Sequence, residues 1–124
     1  MTASLVVAAK LGATTFFSLD YRHVQDDVDA VIASATGDFK TEYTAQSAGV
    51  VADVTAKKLV TEAEVPPDGV AVEYAHGDDG QVLVAVDVTK TQGTAEPTVQ
   101  RTRARITLER VDGVWLVSNI QEVG

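Results

Sequence analysis

Cysteine is absent from the 124 residues, which excludes disulfides, thiolate nucleophiles and cysteine-based zinc sites. Cations are scarce. Ten Lys and Arg face eighteen Asp and Glu, a net charge of −8. Phosphate binding draws on the opposite excess, so no nucleic acid is expected as a partner, and adhesion to an anionic membrane surface is disfavoured. Long apolar runs are missing as well. The start, Met1-Thr2-Ala3-Ser4, has neither the basic region nor the apolar core of a signal peptide. The apolar-leaning stretch Leu5–Leu19 is interrupted by Lys10 and Gly12. As a helix it would extend about 22 Å, short of a hydrocarbon core of about 30 Å, so the chain as written is expected to be soluble. No Gly-x-Ser-x-Gly, Walker or Rossmann glycine pattern occurs, and no cofactor is expected.

What is present is an ordinary globular composition, 45% hydrophobic and 23% charged, in a length that suits one domain, 1–124, with one core. Residues 3–19 read as an Ala-rich helix with Gly12 as its weak point. Val24, Val28, Val31, Ile32 and Ala35 make one stripe on a second helix, 24–35. Asp26, Asp27 and Asp29 occupy its opening turns, where carboxylates complement the macrodipole. Thr36-Gly37-Asp38 reads as a stop and a restart, with Gly37 in a left-handed position and Asp38 as the next N-cap. The third helix carries Phe39, Tyr43, Val50 and Val54 on one face and runs to about Lys57.

From Leu59 the period changes to that of a strand. Alternation over 59–65 and 70–75 flanks a turn at Pro66-Pro67-Asp68-Gly69. A loop at 76–80 leads into Val82, Val84, Val86 and Val88, the heavy face of the next strand. A long strand spans 99–110. Asp112-Gly113 then signals a type I′ hairpin, followed by Trp115, Val117 and Asn119 on one face and Val114, Leu116, Ser118 and Ile120 on the other. The class is α+β, three N-terminal helices packed on a curved antiparallel sheet of four to six strands.

Charge is unevenly spread along the strands. Residues 59–96 hold eight acids and one base, whereas 97–124 hold four arginines and three acids. Arg101, Arg103 and Arg105 alternate and therefore project from one face. Two readings are open: pairing with the acidic strands, or a docking stripe for an acidic partner surface. Arg22 is expected to tie the first helix junction to a carboxylate such as Asp26 or Asp38. Asp26-Asp27-x-Asp29 lacks the central Gly and terminal Glu of a calcium loop. His76-Gly77-Asp78-Asp79 offers one His on a solvated turn, so no metal is expected at either.

Taken in order, Asp20-Tyr21-Arg22, the acids Asp26 to Asp29, Thr36-Gly37-Asp38-Phe39, Tyr43, Arg101 to Arg105, Val111-Asp112-Gly113 and Trp115 resemble the Mce-associated (mammalian-cell-entry-associated) proteins of actinobacterial envelopes. The resemblance covers about residues 12–123. It implies a nuclear-transport-factor-2-like (cystatin-like, SnoaL-like) cone. It further implies an extracytoplasmic location beside the cytoplasmic membrane, with Mce-system envelope proteins as partners. Members of that family usually carry an N-terminal transmembrane helix, so residues 1–11 are expected to be the stub of an anchor-proximal helix. The family has no accepted catalytic residues to carry over.

Within such a cone, Asp20, His23 and Asp38 are the candidates for acid–base work, because burial can shift a carboxylate or imidazole towards a useful pKa. Caps and a helix boundary are the structural alternative for the same three. Tyr21, Phe39, Tyr43 and Trp115 could line a pocket for a lipid or sterol or simply pack the core. The favoured expectation is a non-catalytic accessory domain of an envelope lipid- or sterol-transport system. A lipid-binding module using the cone interior is the alternative, and a small isomerase or dehydratase the second alternative. Self-association into a homodimer through the open sheet face is compatible with the pattern.

Overall fold

The helical spacing of the first half and the alternation after residue 58 are both realised. A computed structural model of the protein describes residues 2–123. Three helices, α1 (Thr2–Phe17), α2 (Val24–Ala33) and α3 (Gly37–Lys57), precede five strands. These are β1 (Leu59–Glu64), β2 (Val70–His76), β3 (Asp79–Gln92), β4 (Thr98–Val111) and β5 (Val114–Glu122). They form one antiparallel sheet in the order β1-β3-β4-β5, with β2 also on β3. β1 pairs with Asp87–Gln92 and β2 with Asp79–Val84 of the same neighbour. The two are therefore one edge strand in two pieces. Pro66-Pro67-Asp68-Gly69 interrupts it without reversing the chain, since prolines offer no N–H to a ladder. The gap is bridged by the Ala85 N–H, which donates to the Gly69 carbonyl at 2.7 Å.

Two of the hairpins close tightly, β2–β3 and β4–β5. His76 pairs with Asp79, so the expected loop at 76–80 shrinks to Gly77-Asp78. At the other hairpin Asp112 and Gly113 take φ of 52° and 81°, the double positive φ of a type I′ turn. The register of β5 departs from simple alternation. Leu108 pairs with Val117 but Thr107 pairs with Asn119, leaving Ser118 as a bulge. A bulge shifts the side-chain parity, so Ile120, opposite Ile106, joins Trp115 and Val117 on the inner face, and Asn119 turns outward. The strict alternation expected for Asn119 and Ile120 fails for this reason.

The helices end where the sheet needs their backbone. α1 stops at Phe17, two residues before its expected end. Leu19 then exchanges hydrogen bonds with Thr61 (3.1 and 2.7 Å), and the Tyr21 N–H donates to the Leu59 carbonyl at 3.0 Å. α2 stops at Ala33 because Ser34 and Thr36 pair with Val117, both bonds 2.8 Å. Gly37 does take the left-handed φ of 65°. The N-cap of α3 is Thr36, and Asp38 lies in the first turn, where its charge faces the positive end of the helix.

The main core lies between α1 and the inner face of the sheet. Leu5, Ala9 and Ala13 meet Val82, Val84, Val86, Ala104, Ile106, Leu108 and Val117. Burying a leucine such as Leu5 completely stabilises by roughly 1.5–3 kcal/mol. Residues 2–11, read from sequence as an anchor-proximal stub, form the first turns of α1 and supply Leu5 and Ala9, both 0% exposed. A second cluster, Val24, Val28, Val31, Tyr43 and Val54, joins α2 to α3. Phe39 packs against both.

Gly12 has a packing role. A Cβ there would stand 2.8 Å from Cγ2 of Val117, which is held by its backbone bonds to Ser34 and Thr36. Replacing Gly by Ala inside a helix ordinarily gains about 1 kcal/mol, while overpacking costs about 1–3 kcal/mol. Gly12→Ala is therefore expected to destabilise the domain by about 1 kcal/mol in urea unfolding. In a Val117→Ala background the same change is expected to stabilise. Stabilisation by Gly12→Ala alone would refute the tight contact.

Candidate functional site

Beyond Ala13 the inward positions of α1 turn from small to aromatic. Phe16 and Phe17 end the helix, and consecutive helical residues point in different directions. From α3, Phe39 and Tyr43 sit one turn apart and Val50 continues their face. The four rings form one cluster. Phe16 lies 5.0 Å edge-on from Phe17, 6.0 Å from Phe39 and 5.9 Å from Tyr43, and Phe39 lies 6.1 Å from Tyr43. With Leu19, Val88 and Ile120 these rings line a groove of about 530 Å3 between α3 and the sheet, whose rim carries Glu42, Gln46, Asn119 and Glu122. Burial, with the charge of Asp27 nearby, pushes the Tyr43 hydroxyl above its ordinary pKa, keeping it a neutral donor.

A more polar hollow of about 240 Å3 continues the groove, sharing Phe17, Thr61, Val88 and Glu122 with it. Its other walls are Lys90, Thr98, Gln100 and Thr102. Those side chains follow Val82–Val86 and Ala104–Leu108 on the same inner face. The sheet thus turns from apolar to polar towards one end.

Of the four aromatics singled out by sequence, Phe39 and Tyr43 stand on this groove. Tyr21 packs against the α2–α3 cluster, with the Arg22 guanidinium 5.9 Å from its ring centre. Trp115 lies at the opposite end of the sheet. Its N–H donates to Ser4 Oγ at 3.3 Å, and Arg110 stacks 5.2 Å from its ring centre. Phe16 and Phe17, which complete the groove, lie at the end of the Ala-rich helix. Their adjacency at a helix end is the sequence sign that both cannot pack into one face.

The acid–base candidates are partly brought together. Asp20 accepts from the Arg22 backbone N–H at 2.9 Å and from its Nε at 2.8 Å. The Asp20 N–H donates to Asp27 Oδ2 at 2.8 Å. The His23 ring stands 3.1 Å from Asp27 and 3.6 Å from Asp20, half exposed. Arg22 therefore binds Asp20, and neither Asp26 nor Asp38 as expected. Its hydrogen bonds hold the Asp20 carboxyl down to about 2, against the opposing effect of burial. A carboxylate so held has little affinity for a proton at neutral pH. Asp38 is exposed on α3 and belongs to none of these contacts. Among the described residues, no three His, Asp or Glu side chains converge as a metal site.

On the outer face of the sheet, Arg101 binds Asp87 at 2.6 Å and Arg105 binds Glu73 at 2.7 Å, and both carboxyls are lowered by those hydrogen bonds. Arg110 binds Asp78 at 3.0 Å. Arg103, exposed between the two paired members of the stripe, has no ion-pair partner among the described residues. Pairing with the acidic strands thus accounts for Arg101 and Arg105, but not for Arg103.

The family model described as "Uncharacterized protein Rv1363c/MT1408-like" matches residues 1–124, and the chain belongs to that family. Uncharacterized protein Rv1363c of Mycobacterium tuberculosis is 31% identical over 123 residues, 98% of this chain and 46% of that protein. Outer membrane protein Rv1973 of the same species is 29% identical over 121 residues, 98% of this chain and 75% of that protein. The chain thus spans just under half of one relative and three quarters of the other. Among solved structures, the periplasmic domain of DotI superposes with a TM-score of 0.81 at 16% identity, covering 99% of this chain and 95% of that one. An IcmL-like type IV secretion system protein from Legionella pneumophila gives 0.80 at 12%, covering 99% and 92%. These likenesses concern the fold, and the nuclear-transport-factor-2-like cone expected from the sequence is the one observed. No helix among the described residues is long and apolar enough to cross a membrane.

The Asp20–Arg22 staple gives the fold a pH signature. The folded pKa of Asp20 is depressed from 3.8 to about 2. Its contribution is present above the unfolded value and is lost as pH falls through the folded one. Since Arg22 is open to water, the contribution is about 1 kcal/mol or less. Asp20→Asn is expected to lower unfolding free energy by that amount at pH 7, with the gap to wild type closing between about pH 4 and pH 2. Urea titrations at several pH values measure it. A gap that persists unchanged at pH 2 would refute the assignment.

Proposed function

We propose that this chain is an extracytoplasmic, non-catalytic interaction domain serving an Mce-type envelope system that moves lipids or sterols. One observation carries the reading: the motifs that resemble Mce-associated proteins lie at the joints of this fold. Asp20 and Arg22 staple the α1–α2 junction. Thr36-Gly37 restarts the chain as α3, Asp112-Gly113 turns the last hairpin, and Trp115 buttresses the start of α1. Residues that hold joints specify a scaffold, and a scaffold acts through its surfaces.

An envelope setting is supported by the name of the relative Rv1973, an outer membrane protein, and by the periplasmic origin of the DotI domain that shares the fold. In this reading the anchor belongs to a longer protein. The partners are Mce-system envelope proteins, with the stripe of Arg101, Arg103 and Arg105 as a docking surface on which Arg103 is the cation still free to bind. A second reading, a lipid- or sterol-binding module, is favoured by the groove of about 530 Å3, within the roughly 300–1,000 Å3 of small-molecule sites.

The full-length protein, tagged and affinity-purified from cross-linked actinobacterial cells, is expected to co-purify with Mce-system components. Arg103→Glu is expected to reduce that recovery several-fold, because arginine anchors contribute heavily to interfaces. Reproducible absence of those components from wild-type eluates would overturn the assignment.

A further inference from the structure

The groove and the hollow beyond it form one cleft whose two ends differ in chemistry. The inner end is made of Phe16, Phe39, Tyr43, Val50 and Ile120. The outer end presents three uncharged hydrogen-bonding side chains of β4, Thr98, Gln100 and Thr102, beside Lys90 and Glu122. Val88 and Glu122 belong to both ends, so one elongated molecule can lie across the boundary.

The charge at the boundary decides what kind of head group fits there. Glu42 stands on the α3 side and Glu122 on the sheet, against one cation, Lys90. None of the three is in an ion pair among the described residues, and Glu122 Oε1 accepts from the Thr102 hydroxyl at 3.3 Å. The local balance is negative, within a chain of net charge −8. A carboxylate or phosphate head would enter against that field, whereas a hydroxyl can donate to Glu122 and accept from Gln100, Thr98 or Lys90. The other polar side chain on the α3 rim, Gln46, is an amide suited to the same uncharged donor–acceptor pattern.

We propose that this cleft binds an amphiphile with an uncharged, hydroxyl-bearing head, its apolar body against the aromatic cluster and its head among Glu122, Thr102, Gln100 and Lys90. This rests on the second functional reading, that the groove holds a lipid-like ligand, and it names the class. The fit is one of polarity and charge. It discriminates between two amphiphiles with identical tails, which the apolar groove alone cannot do.

The test titrates the chain with 1-decanoylglycerol and with decanoate, below their aggregation concentrations, at pH 7 and low salt. Binding is followed by amide and aromatic NMR shifts. The glycerol ester is expected to bind about tenfold more tightly, a screened interaction with about one net charge, and to shift Phe39, Tyr43, Thr102 and Glu122. The double variant Glu42→Gln/Glu122→Gln is expected to narrow the ratio to about twofold by strengthening decanoate, while its unshifted spectrum elsewhere reports an intact fold. Decanoate binding as tightly as the ester to the wild type would overturn the head-group class and leave the lipid-binding reading standing. Failure of both amphiphiles to move Phe39 or Tyr43 would overturn that reading as well. Concentration-dependent broadening of the same resonances without amphiphile would give the groove to a second copy of the chain, and would also overturn the proposal.

Discussion

The close seating of α1 in the curved sheet is the contact on which the rest of the structure depends. It is made possible by small residues on both sides. Leu5 occupies the space over Gly80, where a Cβ would lie 2.5 Å from its Cδ1, and Gly12 gives room to Val117. Ala9 and Ala13 keep the helix low between these points. The next inward positions hold Phe16 and Phe17. The helix end stays tied to β1, where the Thr61 hydroxyl donates to the Phe17 carbonyl at 2.7 Å, while both rings reach the groove beside α3. The groove lies where that helix face passes from small residues to aromatic ones.

The short links between helices complete the arrangement by covering exposed sheet edges. Leu19 to Tyr21 adds a few residues of extended chain beside β1, and Ser34 to Thr36 does the same at Val117 of β5. An uncovered edge invites pairing with another chain, so these links protect the sheet as well as fixing where each helix begins. The Asp20–Arg22–Asp27 contacts hold the first of them in place. What looked like an acidic cluster of chemical interest is mostly committed to holding a turn. His23 reaches two carboxylates at once, yet the nearer, Asp27, already accepts the Asp20 backbone N–H.

Much of this was legible in the residues. The valine stripe of α2, the pair Phe39 and Tyr43 on α3, the alternating valines of β3 and the Asp-Gly turn all carry short-range signals, and all appear where their periodicity predicts. Features that depend on partners distant in sequence were not legible. The bulge at Ser118 is set by the need to face Ile120 towards Ile106 while Val117 meets Leu108, and no local pattern announces it. The end of α1 is set by Thr61, more than forty residues away, which receives both a backbone and a side-chain contact from the link. The four aromatic candidates divided for a similar reason. Residue type marks an aromatic as large and apolar, but only topology decides whether it packs beside the start of α1, like Trp115, or lines the groove, like Tyr43.

The arginines of β4 show how far charge pattern alone can specify a sheet. With arginines at every second position, a two-residue slip would keep them on the outer face and still set one against Asp87. Exposed ion pairs of this kind contribute little individually, so they cannot be what selects the register. The inner face does so, because that slip would bring Ile106 to the position of Ala104 opposite Val84, and Leu108 to that of Ile106 opposite Val82. With register fixed from within, the outer charges are free to be partitioned by reach. Arg101 lies directly opposite Asp87, and Arg105 finds Glu73 across β3 on β2, but Arg103 lies opposite Ala85. A lone solvated cation on a face whose other arginines are already neutralised costs the fold nothing to leave free. It leaves that face one unpaired cation between two neutralised ones.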